Sequence, residues 1–238
     1  MIVSYCGLGK GIARLYSIAM HTIAYQLVEF VSPIELAEYV LPYNDVSEVV
    51  VFCVRDENSL VRICDVLRHT VSRFVIFHDR IRNPMVRKKM KTCTSNVEIE
   101  GKDEVDVLIE MYAKALRDVL NRARENPRAR LLEEDLKEWE KEEEWIKELD
   151  IEIKPKVTYT PSMELPAYLI SKLFKADLIP LEIVEPSKEL LVLGTSAEEH
   201  WVRPLLVKGA KGIILNLDPL VAPLYVLKKI KAMSQISG

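Results

Sequence analysis

The segment at 194–200 (GTSAEEH) contains side chains that are suited to moving a proton or holding an anion. It follows an apolar run, so we expect it to form the turn from a buried strand into a helix. Its hydroxyls could bind a phosphate or a sugar, and its carboxylates and imidazole could act as acid and base. The candidate ligand-binding residues are Thr195, Ser196 and Arg203, and the candidate catalytic residues are Glu198, Glu199 and His200. Ser196 followed by Glu199 also fits a capping box, which leaves a purely structural interpretation open.

A second polar segment, RDENS at 55–59, follows the apolar run at 48–54. Arg55 and Glu57 are candidate ligand-binding residues, because open α/β sheets bind ligands at the carboxyl ends of their strands. Asp56 is a good helix N-cap, and so are the two residues after Glu57. Helix capping therefore explains part of this segment without a ligand.

Glycines cluster between the first predicted strand and the first predicted helix. The candidate ligand-binding residues of this turn are Gly7, Gly9, Lys10 and Gly11. Glycines let the backbone approach an anion at a helix N-terminus, where free N–H groups and the helix dipole favour negative charge. The spacing matches neither the dinucleotide-binding motif nor the P-loop, since Ile12 stands where the first needs its last glycine. A ligand-binding loop and a simple tight turn both remain open.

Two pairs of segments suggest an internal duplication. VEFVSP at 28–33 resembles LEIVEP at 181–186, and SEVVVFCVRDENSLVR at 47–62 resembles KELLVLGTSAEEHWVR at 188–203. Their collinear order favours duplication over chance matches between apolar strands. We therefore expect two similar α/β units, with a ligand in the cleft between them.

Hydrophobic periodicity predicts that strands and helices alternate in both units. The expected strands lie at 1–6, 27–31, 48–54 and 73–78, and again at 157–160, 180–184, 189–193 and 212–217. Crossover helices between successive strands imply parallel sheets. The predicted fold class is α/β, with two similar parallel-sheet, Rossmann-like units and a charged helical hairpin between them. The predicted domains are residues 1–100, 101–152 and 153–238.

The middle domain keeps apolar residues at helical spacing on both sides of Pro127. Trp139 and Trp145 lie on an otherwise acidic helix of this hairpin, where large apolar side chains need cover. Contacts in a homodimer and packing within the chain are both open for them.

Charge and composition limit the classes of partner that the chain could bind. A net charge of −3 and an acidic pI near 5.9 argue against a nucleic-acid partner. The basic stretch at 80–91 is interpreted either as a solvated loop or as a contact to a phosphate or carboxylate. No apolar run approaches a membrane span and no signal-peptide pattern opens the sequence, so we expect a cytoplasmic protein without a membrane partner.

The four cysteines follow no metal-binding spacing, and we expect neither a metal nor a disulfide framework. Only two glutamines accompany 29% charged residues, a balance that is typical of proteins from hot environments.

This arrangement resembles the sugar isomerase (SIS) fold. The resemblance rests on the glycine turn after the first strand, the short strand with Glu29 and the buried strand that enters a polar turn, all duplicated. Tandem SIS units occur in the isomerase part of glucosamine-6-phosphate synthase and in phosphoglucose/phosphomannose isomerases. In that family the turn typically reads Ser-x-Ser-Gly-x-Thr, and its hydroxyls hold the sugar phosphate. Here the first unit reads CVRDEN at 53–58, without a hydroxyl, and the second reads GTSAEE at 194–199, which keeps Ser196.

The resemblance implies a phosphorylated sugar as the ligand and no cofactor, and we expect a homodimer. An enzyme of this kind would be an aldose–ketose isomerase. Glu198 or Glu199 would then move the proton through an enediol, His200 would open the ring, and Arg55 or Arg203 would stabilise developing charge. A non-catalytic sensor or scaffold is the main alternative. A nucleotide-dependent Rossmann-like enzyme is a further one, and the missing third glycine argues against it.

Overall fold

The structure, a computed structural model, describes residues 1–93, 95–141 and 144–236. The chain divides into two compact units, Met1–Ala129 and Arg130–Gly238. Each unit contains one sheet in which every strand pair is parallel. The predicted α/β class with parallel sheets is therefore confirmed.

The first unit holds a five-stranded sheet in the order β2-β1-β3-β4-β5. Its strands are β1 (Ile2–Gly7), β2 (Glu29–Phe30), β3 (Val49–Val54), β4 (Phe74–Asp79) and β5 (Asn96–Ile99). Its helices are α1 (Lys10–Thr22), a π-helix at Glu35–Val40, α2 (Glu57–Thr70), α3 (Pro84–Met90) and α4 (Glu104–Arg122). Neither α3 nor β5 was predicted from the sequence, because the charged stretch around them has weak apolar periodicity.

The central strand β3 is buried along its whole length, as its unbroken apolar run predicts for a sheet covered on both faces. On one face, side chains of β1 and β3 pack with those of α2 and α3. On the other, the Phe52 ring lies 5.1 Å from that of Tyr16 on α1 and 5.0 Å from that of Phe77 on β4. The Tyr16 hydroxyl donates to Asp118 of α4 at 2.6 Å, which ties the two helices together.

The second unit holds a four-stranded sheet in the order β7-β6-β8-β9. Its strands are β6 (Lys156–Tyr159), β7 (Asp177–Leu178), β8 (Leu190–Thr195) and β9 (Lys211–Leu215). Its helices are α6 (Glu144–Glu148), α7 (Glu164–Phe174), α8 (Glu199–Val207) and α9 (Ala222–Ile236). It also contains 3-10 turns at Pro161–Met163, Leu181–Ile183 and Ser196–Glu198. Helix α5 (Pro127–Lys141) begins in the first unit and ends in the second.

The strand predicted at 180–184 is wrong. The edge strand is β7, and the ladder ends where the Ile179 N–H donates to the Val157 carbonyl at 2.9 Å. Pro180 follows directly and has no N–H to continue the ladder. Its carbonyl instead accepts from the Ile183 N–H at 3.2 Å, which closes a 3-10 turn.

The two segment matches of the sequence differ in their structural setting. The longer match aligns Val49 with Leu190, the first residues of β3 and β8. Val49 pairs with Ile2, the first residue of β1, and Leu190 pairs with Lys156, the first residue of β6. The shorter match aligns Glu29, which lies in β2, with Glu182, which lies in a 3-10 turn. The strand at the position of β2 is β7 instead. The similarity of the two units as a whole stays a prediction.

Helices cover the range of the predicted hairpin as α4, α5 and α6. Trp139 is buried, its ring lies 4.2 Å from the ammonium group of Lys228, and its carbonyl accepts from that ammonium at 2.6 Å. The Trp145 ring lies edge-on to Tyr225 at 5.0 Å. Both tryptophans thus contact α9 within the second unit. The hairpin arrangement, the three-domain division and the homodimer contact stay predictions.

Among the described residues, no helix combines the length and the apolar character that a membrane span requires.

Candidate functional site

The glycine turn presses against β3. Gly7 has a left-handed φ of 54°, and a Cβ there would lie 2.2 Å from the Val54 carbonyl oxygen. A Cβ on Gly9 would lie 2.0 Å from the carbonyl oxygen of Phe52. Both positions therefore require glycine for packing.

The N–H groups of the turn are partly engaged. That of Leu8 donates to Val54 at 3.0 Å, and that of Gly9 donates to Cys6 at 3.1 Å. These contacts support the tight-turn interpretation for Gly7 and Gly9. Lys10, which is exposed, and Gly11, which is buried, lie in the first turn of α1.

Arg55 comes directly after β3 and has a left-handed φ of 62°, which is uncommon for a residue with a side chain. Its N–H donates to Asp79 Oδ1 at 3.3 Å, and its Nε lies 3.8 Å from Asp79 Oδ2 and 3.7 Å from the carboxylate of Glu104. Asp79 ends β4, and burial raises the pKa of its carboxyl group. These contacts hold Arg55 beside the ends of β3 and β4.

Asp56 and Glu57 have structural partners. Asp56 caps α2, because its Oδ1 accepts from the Ser59 N–H at 3.1 Å, which confirms the capping interpretation. The Glu57 carboxylate accepts from the N–H groups of Arg82 and Asn83. Glu57 thereby fastens the loop after β4 to the start of α2.

An open cavity of about 1160 Å³ lies at this edge of the first sheet. Its cationic lining residues are Arg55, Arg80, Arg82, Arg87 and Lys102, and its acidic ones are Asp79, Glu98, Glu100 and Asp103. The Arg87 guanidinium donates to the Ile81 carbonyl at 2.6 Å. The side chains of Arg80, Arg82 and Lys102 are exposed and have no hydrogen-bond or ion-pair partner among the described residues. The cavity therefore presents three cations that a ligand could use.

In the second unit, one carboxylate accepts hydrogen bonds from three hydroxyl groups. Oε2 of Glu198 accepts from Thr160 at 2.6 Å, from Ser162 at 2.5 Å and from Thr195 at 2.9 Å. Oε1 accepts from the Ser162 N–H at 3.3 Å. Glu198 is thus engaged with its own chain.

The other predicted residues of this segment lie apart from that cluster. Ser196 donates to Asn216 at 2.9 Å and begins a 3-10 turn, so α8 starts only at Glu199. The predicted capping box is therefore wrong, because neither this 3-10 turn nor α8 has a side-chain cap at its N-terminus. Ser196 and three predicted residues line an open cavity of about 600 Å³. These three are Glu199, His200 and Arg203.

Within the described residues, no group of three or more His, Cys, Asp or Glu side chains could hold a metal ion. The four cysteines are free and buried. Cys6 and Cys53 face each other between β1 and β3, and the hydrogen bond between their thiols, together with burial, raises the pKa of the Cys53 thiol.

Several solved structures have a similar arrangement of strands and helices. The C-terminal domain of glucosamine-fructose-6-phosphate aminotransferase from Francisella tularensis matches with a TM-score of 0.70 and 11% identity, over 100% of this chain and 84% of that one. A candidate phosphosugar isomerase from Silicibacter pomeroyi matches with a TM-score of 0.68 and 12% identity, over 99% and 84%. Tagatose-6-phosphate ketose/aldose isomerase from Escherichia coli matches with a TM-score of 0.64 and 11% identity, over 100% and 82%.

The chain has the sugar isomerase fold. No protein-family model matches the sequence, and no curated protein matches it either. The likeness is therefore one of fold.

Sequence reasoning missed several polar residues at the edges of this sugar isomerase fold. Thr160 and Ser162 follow the short strand β6, where only their position after an apolar run could have signalled them. Asp79 ends β4 and was assigned to no site, although it contacts Arg55. Arg80 and Arg82 were recognised only as part of a basic stretch.

Proposed function

We propose that this chain binds a phosphorylated sugar at the carboxyl end of the first sheet. The observation that supports the proposal is the cavity beside Arg55, where Arg80, Arg82 and Lys102 have no partner among the described residues. Open α/β sheets bind ligands at this edge. The sugar isomerase fold, whose solved examples include a tagatose-6-phosphate isomerase, agrees with this class of ligand.

The mixed charge of the cavity suits a sugar phosphate better than a simple anion. Arginine and lysine side chains form short, charge-assisted hydrogen bonds to phosphate oxygens. The carboxylates of Asp79, Glu98 and Glu100 are acceptors for the hydroxyl groups of a sugar. One end of the ligand would thus meet the cations and the other the carboxylates.

The predicted anion contacts in the glycine turn belong to the same proposal. The N–H groups of Lys10 and Gly11 lie in the first turn of α1, where the helix dipole favours negative charge. We assign them a supporting role, because the N–H groups of Leu8 and Gly9 already bond within the turn. The binding needs no cofactor.

We favour binding without catalysis, as in a sensor or scaffold. Glu198, a predicted proton carrier, already accepts four hydrogen bonds from its own chain. Aldose–ketose isomerisation is the second candidate, because Glu199, His200 and Arg203 line one open cavity and could serve as acid, base and cation. Interconversion of an aldose phosphate and a ketose phosphate that is lost in both Glu199→Ala and His200→Ala would establish it.

Thermal unfolding with a panel of ligands tests the binding. The panel holds hexose 6-phosphates, amino-sugar phosphates, inorganic phosphate, the unphosphorylated sugars, NAD and ATP. A ligand that binds only the folded chain raises the unfolding temperature. We expect a rise with at least one sugar phosphate that exceeds the rise with its sugar or with inorganic phosphate. Stabilisation by NAD or ATP alone would favour the nucleotide-dependent alternative.

Charge variants locate the site. Arg82→Ser and Lys102→Ser should each weaken the best ligand, because each removes an exposed cation that lines the cavity. Lys88→Ser is the matched control: Lys88 is an exposed cation on α3 that is not among the lining residues. Equal affinities for all three variants would refute the cavity as the site.

A homodimer is part of the proposal. The tryptophans of the predicted hairpin contact α9. We therefore assign the dimer contact to exposed apolar side chains of the first unit. These are Tyr25, Leu27, Ile34, Tyr39 and Tyr43. Light scattering of the wild type and of a Leu27→Lys/Tyr39→Lys variant tests this, with a dimer and a monomer as the expected results.

A further inference from the structure

The hydroxyls around Glu198 come from separate elements that meet at one point. Thr160 follows β6, Ser162 lies in the next 3-10 turn, and Thr195 ends β8, which pairs with β6. All three are at most 4% exposed. Three buried donors of different origin thus converge on one carboxylate oxygen.

This point is where the second sheet changes direction. In the order β7-β6-β8-β9, the chain leaves β6 for one edge of the sheet and leaves β8 for the other. Open α/β sheets bind ligands outside the carboxyl ends of the strands at such a switch point. The hydroxyls of Thr160 and Thr195 therefore lie where a ligand would be expected.

The local packing makes room for the cluster. A Cβ on Gly194 would lie 3.2 Å from the Thr160 methyl group and 3.6 Å from its hydroxyl oxygen. Glycine at this position of β8 lets Thr160 approach. The carboxylate of Glu198, by contrast, does not cap a helix, since α8 has no side-chain cap.

Hydroxyl donors on one oxygen of a carboxylate and a backbone N–H donor on the other form a setting that also fits a phosphate, whose oxygens are strong acceptors. We propose that the second unit contains an anion cradle, formed by Thr160, Ser162 and Thr195, that the chain closes with its own Glu198 carboxylate. Removing this carboxylate opens a site for inorganic phosphate. The cradle lies in the second unit and does not depend on the proposed site in the first.

The test counts phosphate sites by isothermal titration calorimetry. The wild type gives a reference number, which includes any phosphate bound in the first unit. We expect Glu198→Ala to bind one more inorganic phosphate than the wild type. The additional site should disappear in Glu198→Ala/Thr195→Val, which removes one hydroxyl and keeps the side-chain shape. Millimolar phosphate should also raise the unfolding temperature of Glu198→Ala more than that of the wild type.

Two further variants serve as controls. Glu185→Ala removes an exposed carboxylate of the second unit that lines neither described cavity, and it should bind as many phosphates as the wild type. Glu198→Gln keeps the volume of the side chain, so the cradle stays filled and no site should be added. An additional site in Glu185→Ala would show that a general loss of negative charge creates it, and would overturn the proposal.

Glu198→Ala leaves buried donors without an acceptor and could fail to fold. Refolding yield is then measured in phosphate and in chloride of equal ionic strength. Recovery in phosphate alone supports the cradle. A folded Glu198→Ala without an additional site, or a refolding yield that phosphate does not raise while Glu198→Gln folds, contradicts it.

Discussion

Arg55 and Asp79 form an ion pair at the point where β3 and β4 end, with Nε 3.8 Å from Oδ2. The Arg55 N–H also donates to Oδ1 at 3.3 Å. Burial nevertheless raises the pKa of the Asp79 carboxyl group, although the charge and the N–H of Arg55 act in the opposite direction. The carboxylate therefore holds the cation at the cavity while its own burial reduces stability.

The raised pKa of Asp79 predicts a pH dependence of stability. Between its unfolded pKa of about 3.9 and the higher folded value, the folded chain binds more protons, so the free energy of unfolding falls as pH rises through that interval. Asp79→Asn keeps an acceptor for the Arg55 N–H but cannot titrate. Urea unfolding between about pH 4 and pH 7 measures the free energy of unfolding as a function of pH. We expect it to fall less steeply with pH in Asp79→Asn than in the wild type.

Asp177→Asn, at an exposed carboxylate of β7, is the control and should follow the wild type. An Asp79→Asn slope that equals the wild-type slope would contradict the predicted role of burial.

The left-handed backbone of Arg55 predicts an unusual order of stability among its variants. Alanine removes the ion pair and keeps the strain, whereas glycine removes both. Arg55→Gly should therefore be more stable than Arg55→Ala by about 1 kcal/mol, in contrast to most positions, where glycine is the less stable. Urea unfolding of the two variants measures the difference. Lys175, also left-handed and exposed at the end of α7, should show the same order; alanine above glycine at both positions would refute the argument.

The strands that periodicity located are those with strong apolar runs. β3 and β8 are buried along their whole length, and both were expected within two residues of their observed ends. β7 was missed because two residues, Asp177 and Leu178, are too few for a period. The apolar residues at 181–184 looked like a strand, but Pro180 ends the ladder before them.

The position of a candidate residue in the fold was predictable where a turn follows a buried strand. Arg55 was expected at an edge of a sheet and lies there, beside a cavity. Its partners were not predictable, because Asp79 reaches it through the parallel pairing of β3 and β4, which brings residues 24 positions apart together. Glu198 was predicted as a candidate catalytic residue, but two of its three hydroxyl partners, Thr160 and Ser162, come from a segment nearly 40 positions earlier.

Trp139 should be a core residue of the chain. It is 4% exposed, whereas Trp145 is 37% exposed. Truncation of a buried tryptophan costs about 3–5 kcal/mol, so Trp139→Ala should destabilise in that range and Trp145→Ala by less than half as much. Urea unfolding measures both. Light scattering on the folded variants should give the wild-type mass; a Trp139→Ala variant that is stable but changes mass would return this residue to the dimer interface.

The hydrogen bonds of Glu57 predict that ligand binding in the first-unit cavity depends on the position of the loop after β4. Its carboxylate accepts from the N–H groups of Arg82 and Asn83, and the Arg82 side chain is one of the cavity's cations. Glu57→Gln keeps one oxygen acceptor and the side-chain size but loses the charge that strengthens these bonds. We expect the loop to be held less firmly and the affinity for the best sugar phosphate to fall about threefold to tenfold, or roughly 0.7–1.4 kcal/mol.

Calorimetry with the best ligand of the thermal screen measures this loss. Glu125→Gln, at an exposed carboxylate after α4, controls for the change in net charge and should bind as the wild type does. The combination with Arg82→Ser separates positioning from direct contact. If Glu57 acts by placing Arg82, the double variant should bind no more weakly than Arg82→Ser alone, because the two changes remove the same interaction. Losses that add fully would contradict this and make Glu57 a direct ligand contact.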